Sequence, residues 1–168
     1  VSDVPTEGVP FLVNPQWSGQ SSAVREVNAT DNALRFELPA RPLDAVIPVS
    51  AATDKTMLFK MDIEGYESRA LAGFEQTQKR VKMAIGLIEF TPKFIRWAGV
   101  EPEKYFAWLQ ERYDVFCIQN LKRRELVSIE SYEQLPARHG QEFTGTDLLL
   151  ATKQRREDWI PSGWFLRR

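Results

Sequence analysis

Apolar residues fall into short runs along the chain, and polar or turn-forming residues separate the runs. Continuous apolar runs of about four to eight residues are typical of strands buried in a sheet. The clearest is Met57–Ile63, which we interpret as a buried parallel strand that ends before Gly65. The predicted strands are Val9–Val13, Ala33–Leu38, Met57–Ile63, Ala84–Phe90, Tyr113–Gln119 and Asp147–Thr152.

Helices are predicted between several of these strands. Pro102–Arg112 has a proline in its first turn, where the missing N–H would have no helical partner, and Phe106 and Leu109 at helical spacing. Strands that alternate with helices in this way predict an α/β sheet with crossover helices. The shorter predicted helices are Leu43–Ile47, Tyr66–Ala72 with Gly73 as its C-terminal cap, and Glu130–Leu135, while Pro39 and Pro42 are expected to end the second strand.

Composition excludes several classes of protein. The chain has 22 basic and 23 acidic residues, which argues against nucleic-acid binding driven by bulk charge. No apolar run approaches the roughly 20 residues that cross a bilayer, so no membrane segment is expected. A single histidine, His139, argues against a histidine-based zinc site. The single cysteine, Cys117, fits a reducing compartment, and we expect the cytoplasm.

Four charged residues lie near the ends of two neighbouring predicted strands. Ligands of open α/β sheets bind beyond the carboxyl ends of the strands, which is where Asp62, Glu64 and Glu89 fall. Lys60 shares a strand face with Asp62, and a lysine in a buried strand needs a partner such as Asp62 or Glu89. We therefore expect these four residues to line one polar crevice. Helix capping for the acids and a plain ion pair for Lys60 are the alternatives, and Glu67 is expected to be structural.

The segment Lys60–Glu67 resembles the motif K-x-D-[VI]-E-G-x-E of the FkbM methyltransferase family. In that family a helix ending in glycine and a strand ending in Glu-Phe follow, as Ala70–Phe74 and Ile88–Phe90 do here. Leu12–Ser22 and Leu43–Val46 also resemble family segments, so that the resemblance extends from about Val1 to Thr152.

The resemblance implies the C-terminal half of a class I methyltransferase (Rossmann-like) sheet, mostly parallel with a final antiparallel strand at Asp147–Thr152. It implies S-adenosylmethionine as cofactor, a hydroxyl acceptor on a small molecule or sugar, and catalysis by Asp62 supported by Glu64, Glu89 and Lys60, with a divalent metal as an option. No metal ligand and no cofactor-binding residue is assigned, because the family's first strand and glycine-rich loop have no counterpart here.

The expected organisation is therefore a partial domain over residues 1–153, with the cofactor-binding strands missing, and a tail over 154–168. The strand Met57–Ile63 would then have an unpaired apolar edge, for which we expect pairing with a second copy or cover from residues 1–50. We also expect the chain to bind the cofactor weakly or not at all. Two other functions stay open. One is a metal-dependent hydrolase that uses the three strand-end carboxylates, and the other is a noncatalytic module that keeps the fold and binds a partner.

Overall fold

Two β-sheets organise this mixed α/β chain in the computed structural model, which describes residues 1–24, 27, 32–140, 143–153, 160 and 163–167. The strands are β1 Thr6–Val13, β2 Leu34–Ala40, β3 Thr56–Met61, β4 Met83–Phe90, β5 Tyr113–Asn120, β6 Glu125–Ser128, β7 Thr146–Thr152 and β8 Phe165–Arg167. The helices are α1 Leu43–Val46, α2 Val49–Ala52, α3 Glu67–Ala72, α4 Glu75–Arg80, α5 Pro92–Trp97, α6 Pro102–Arg112 and α7 Gln134–His139.

The larger sheet has the strand order β3-β4-β7-β5-β6-β8. Strands β3, β4 and β5 run in one direction, and β7 lies antiparallel between β4 and β5, as expected for Asp147–Thr152. The expectation of a mostly parallel sheet is wrong, because β6 and β8 also oppose β5. A tight turn at residues 121–124 reverses the chain into β6, where sequence analysis predicted no strand. The last strand is β8, within the segment predicted as a tail, of which residues 154–159, 161, 162 and 168 lie outside the described residues.

One face of this sheet carries the main core. Met61, Ile88, Leu148 and Val115 project from four strands into a cluster with residues of α3 and α6. Strand pairing places the alternate residues on the opposite face, where a smaller cluster forms around Phe116 near β6 and β8. The helices therefore cover one face, and the described part of the chain leaves the other face more open at its β3 end.

Strand β3 lies at the edge of the sheet, and no strand in the described ranges pairs with its outer side. Exposed and half-buried residues alternate from Thr56 to Lys60, Met61 is buried, and Leu58 is 75% exposed. The prediction of a strand buried on both faces is therefore wrong. Parallel strands are buried when helices cover both faces, and the described chain places helices over only one face at this point.

The ribbon of β1 and β2 forms the second sheet, with antiparallel pairing. Pro39, expected to end the second predicted strand, lies inside β2, which an edge position of a two-stranded ribbon tolerates.

One helix prediction also needs correction. The helix expected at Glu130–Leu135 begins only at Gln134, whose side chain accepts the Glu130 N–H at 2.8 Å. Gly73 caps the C-terminus of α3 as predicted, with φ −74° and with its N–H donating to the Arg69 carbonyl oxygen at 3.0 Å. It is needed for close packing, because a Cβ there would lie 2.0 Å from the Ser2 carbonyl oxygen. Within the described ranges, no helix has the length and apolar character needed to cross a membrane.

Candidate functional site

The carboxyl ends of β3 and β4 bring three acidic side chains together. The parallel register pairs Lys60 with Leu87, so Asp62 extends from β3 beside Glu89 of β4. One carboxylate oxygen from each of Asp62, Glu64 and Glu89 lies within 4.8 Å of the others. The side chains predicted to meet at this edge do meet, and the chemical role assigned to them stays a prediction.

A strained turn at Ile63–Gly65 follows Asp62 directly and contains Glu64. Glu64 has φ +55° and Gly65 has φ +97°, in the left-handed region that residues other than glycine rarely adopt. A Cβ on Gly65 would also lie 2.9 Å from the Cβ of Phe94 and 3.0 Å from its carbonyl oxygen. Glycine is therefore required both by the backbone conformation and by the close approach of α5. The turn allows the chain to reverse from β3 into α3 within a few residues.

Lys60 pairs with Asp62, one of its two predicted partners. The Nζ atom lies 2.5 Å from Asp62 Oδ2, with side-chain exposures of 59% and 43%. Hydrogen bonding to Asp62 raises the pKa of Lys60. Because Lys60 projects from the face of β3 that the described helices leave uncovered, it reaches solvent directly, and the pair contributes little to stability. Its evident effect is to fix the orientation of the Asp62 carboxylate.

The other two acids hold their protons more tightly than usual. Burial raises the pKa of Glu64 to about 7, and the charges of Glu89 and Asp62 add to the effect. Burial also raises the pKa of Glu89, against the lowering effect of a hydrogen bond from Thr91. Like charges that are crowded together at a partly dehydrated site favour protonation of one member. At neutral pH this cluster can therefore take up or release a proton.

Glu89 borders an open groove of about 440 Å³. Its Oε1 accepts the Thr91 hydroxyl at 3.0 Å, while Oε2 is closed off from solvent and has no hydrogen-bond donor within the described part of the chain. Asp147 lies opposite Glu89 in the antiparallel register and also lines the groove. Asp147 is not among the site residues predicted from sequence, although its place at the start of the inserted strand could have indicated it.

Two further residues hold the turn and were not identified as site residues from sequence. Glu67, the first residue of α3, is 1% exposed, and its Oε1 accepts the Ile63 N–H at 2.8 Å. Burial raises the pKa of Glu67 to about 7, against the lowering effect of backbone N–H groups that include Ile63. From the other side, the Ser22 hydroxyl donates to the Glu64 carbonyl oxygen at 2.7 Å. The predicted structural role of Glu67 agrees with these contacts.

A family comparison adds to this geometry. The family model described as the methyltransferase FkbM domain matches residues 2–132. The chain belongs to the FkbM methyltransferase family. The FkbM match includes Lys60, Asp62, Glu64 and Glu89, whereas Asp147 lies beyond it. No curated protein and no solved structure matches the chain. The chain is thus a methyltransferase by family, and its acidic cluster lies inside the matched domain.

Proposed function

We propose that this chain works in S-adenosylmethionine-dependent methyl transfer to a hydroxyl group of a small molecule or sugar, on a class I, Rossmann-like sheet. The observation that carries the proposal is the meeting of Asp62, Glu64 and Glu89 at the carboxyl end of two parallel strands in an FkbM domain. The antiparallel β7 between β4 and β5 supports the class I architecture.

The roles of the acids follow from their surroundings. Asp62 is held by Lys60 and is partly exposed, so it can accept a hydrogen bond from an acceptor hydroxyl. Glu64 has a pKa of about 7, which suits a group that takes a proton from that hydroxyl near neutral pH. Glu89 is oriented by the Thr91 hydroxyl and raises the negative charge of the site. We assign acceptor orientation to Asp62 and proton removal to Glu64.

The acidic residues of the site fit the methyl-bearing end of the cofactor only. When bound, S-adenosylmethionine supplies a methyl group on a positively charged sulfur, and the carboxylate cluster suits such a charge. A glycine-rich loop that could hold the rest of the cofactor does not occur, because none of the nine glycines forms a G-x-G cluster. We therefore assign acceptor handling to this chain and leave the cofactor-binding residues unassigned.

Formation of S-adenosylhomocysteine tests the proposal, because this product forms whichever acceptor takes the methyl group. The chain is incubated with S-adenosylmethionine and a panel of sugars and small hydroxyl compounds. We expect product to depend on one acceptor class, and Asp62→Asn to lower turnover at least about tenfold with little change in cofactor affinity. Equal losses of turnover and cofactor affinity would contradict an acceptor-side role. Absence of product with every acceptor would contradict methyl transfer by this chain.

A metal-dependent hydrolase is the second candidate. Three carboxylate oxygens within 4.8 Å of one another, one of them from Glu89, resemble the oxygen ligands that a divalent cation takes. Among the described residues, none donates a hydrogen bond to Oε2 of Glu89. Mg²⁺-dependent cleavage of a model phosphodiester, without S-adenosylmethionine binding, would favour this function. The same carboxylates would hold a divalent ion if the methyltransferase itself uses one.

The free edge of β3 favours the third candidate, a module that binds a partner. An unpaired strand edge with an exposed Leu58 can add a strand from another chain. We propose that two copies associate through this edge, and we propose neither a nucleic-acid nor a membrane partner. The single, buried Cys117 fits a reducing compartment, and we propose the cytoplasm.

A further inference from the structure

The turn at Ile63–Gly65 is strained, and two side-chain contacts hold it in place, one from Ser22, 42 residues before Glu64, and one from Glu67 at the start of α3. We propose that Ser22 and Glu67 are positioning residues, which fix this turn and so aim the carboxylates of Asp62 and Glu64 at one point. The inference rests on the proposed function only in taking these carboxylates as the working groups. It assigns to two buried side chains a role in the geometry of the site.

Ser22 joins the turn to the β1–β2 ribbon. Its backbone N–H and C=O pair with Leu12 of β1 at 3.0 and 2.9 Å, so its position is fixed on both sides. Its hydroxyl accepts the Val24 N–H at 2.8 Å and donates to the Glu64 carbonyl oxygen at 2.7 Å. Ser22 is 1% exposed, so its hydroxyl is shielded from water. Ser22 therefore transmits the position of β1 to the residue with the left-handed backbone.

Glu67 holds the other side of the same turn. Its carboxylate accepts the Ile63 N–H, one residue before Glu64, from a position fixed at the start of α3. The two contacts therefore lie on either side of the φ torsion of Glu64. Glu67 holds the N–H of Ile63 before it, and Ser22 holds the carbonyl oxygen of Glu64 after it. Close packing of Gly65 against Phe94 limits the remaining freedom. Strained backbone of this kind persists where the surrounding structure over-determines it.

Loss of either contact should release the turn without unfolding the sheet. In Ser22→Ala the Glu64 carbonyl loses its donor, and the left-handed conformation loses part of what compensates its strain. In Glu67→Ala the Ile63 N–H loses its acceptor, whereas Glu67→Gln keeps a side-chain oxygen at the same place. Glu67→Gln should therefore keep the wild-type conformation of the turn. That result would show that the turn needs a hydrogen-bond acceptor at position 67 and not a negative charge.

Nuclear magnetic resonance of the ¹⁵N-labelled chain tests these expectations directly. A strong HN–Hα Overhauser effect within Glu64 reports its positive φ. We expect this signal in the wild type and in Glu67→Gln, and its loss in Ser22→Ala and Glu67→Ala. Exchange of the Ile63 amide should accelerate about tenfold in Glu67→Ala and remain slow in Glu67→Gln. If Glu67→Ala fails to fold, Ser22→Ala and Glu67→Gln decide the result.

Thr53→Ala is a matched control, because the Thr53 hydroxyl also donates to a backbone carbonyl, that of Val49, at 2.9 Å. It should leave the Glu64 signal unchanged. The proposal is overturned if Ser22→Ala lowers the melting temperature but keeps the wild-type signals of Glu64 and Ile63, since that result would show a structural role alone. These measurements need no methyl transfer, so failure of the proposed function would leave their outcome readable.

Discussion

Replacement of Glu67 by glutamine should change how the stability of the chain depends on pH. Burial raises the pKa of this carboxyl from an ordinary 4.5 to about 7. The folded state therefore binds a proton that the unfolded state releases between these pH values. Stability must fall as pH rises through this window, and the full cost of ionisation is present above about pH 7.

The size of the effect follows from the pKa difference. Each unit between the folded and unfolded values corresponds to about 1.4 kcal/mol, so ionised Glu67 costs the folded state about 3 kcal/mol at high pH. That is a large fraction of the 5–15 kcal/mol that typically holds a domain together, about a fifth to three-fifths. Because Glu67 is 1% exposed, solvent screening does little to reduce this cost. Glutamine keeps an acceptor for Ile63 and does not ionise.

Urea unfolding at several pH values from about 4 to about 8.5 measures the effect. The free energy of unfolding of Glu67→Gln, minus that of the wild type, should rise by about 3 kcal/mol across this range. Glu64 and Glu89 also have raised pKa values. Both are present in both proteins, so their own contributions cancel in the difference, apart from the repulsion between Glu89 and Glu67 that Glu67→Gln removes. Glu7→Gln, at an exposed position of β1, is the control. Its free energy of unfolding, minus that of the wild type, should vary by less than about 0.5 kcal/mol across the same pH range. Parallel curves for wild type and Glu67→Gln would refute the reasoning, because they would mean that Glu67 ionises alike in both states.

Three further predictions concern the edge, the turn and the core. Leu58→Lys should abolish association of two copies in light scattering, whereas Leu121→Lys, at another exposed leucine in the β5–β6 turn, should not; a monomeric wild type would contradict the proposed association. Gly65→Ala should lower the free energy of unfolding by about 1–3 kcal/mol more than Gly99→Ala, since both have positive φ but only Gly65 has neighbours within 4 Å of a new Cβ; equal losses would count against the α5 contact. Burial raises the pKa of Cys117 to about 11, so a thiol reagent at about pH 8 should label it only as the chain unfolds; rapid labelling of the folded chain would show that the thiol is accessible.

Strand positions could be predicted from the apolar runs, and the expected unpaired edge of Met57–Ile63 is found in β3, but the burial of each strand face could not be predicted. The run Met57–Ile63 has the composition of a strand buried on both faces, yet the face of β3 that carries Leu58 is exposed. The composition of a segment describes its own side chains, whereas the burial of the segment depends on which other elements pack against it. Short strands such as β6 have too few residues for a period to show, and the turn before it depends on a left-handed Arg124. Such features need tertiary contacts to be recognised.

The acids of the site could be predicted because a simple rule places them. Residues that end parallel strands meet at one edge of the sheet, so Asp62 and Glu89 follow from strand boundaries alone. The groups that aim them obey no such rule. Ser22 lies 42 residues before Glu64, and its hydroxyl meets that carbonyl only because the backbone of Ser22 is paired with β1. Glu64 and Glu67 have the same side chain and lie three positions apart. Glu67 is buried against the backbone, whereas Glu64 faces the acidic cluster. The spacing E-G-x-E therefore encodes two different functions of glutamate, one that holds the turn and one that the turn presents. Conformation at a single residue, the positive φ of Glu64, separates them. The motif therefore contains two candidate catalytic acids, Asp62 and Glu64, together with Glu67, the acid for which the sequence predicts a structural role.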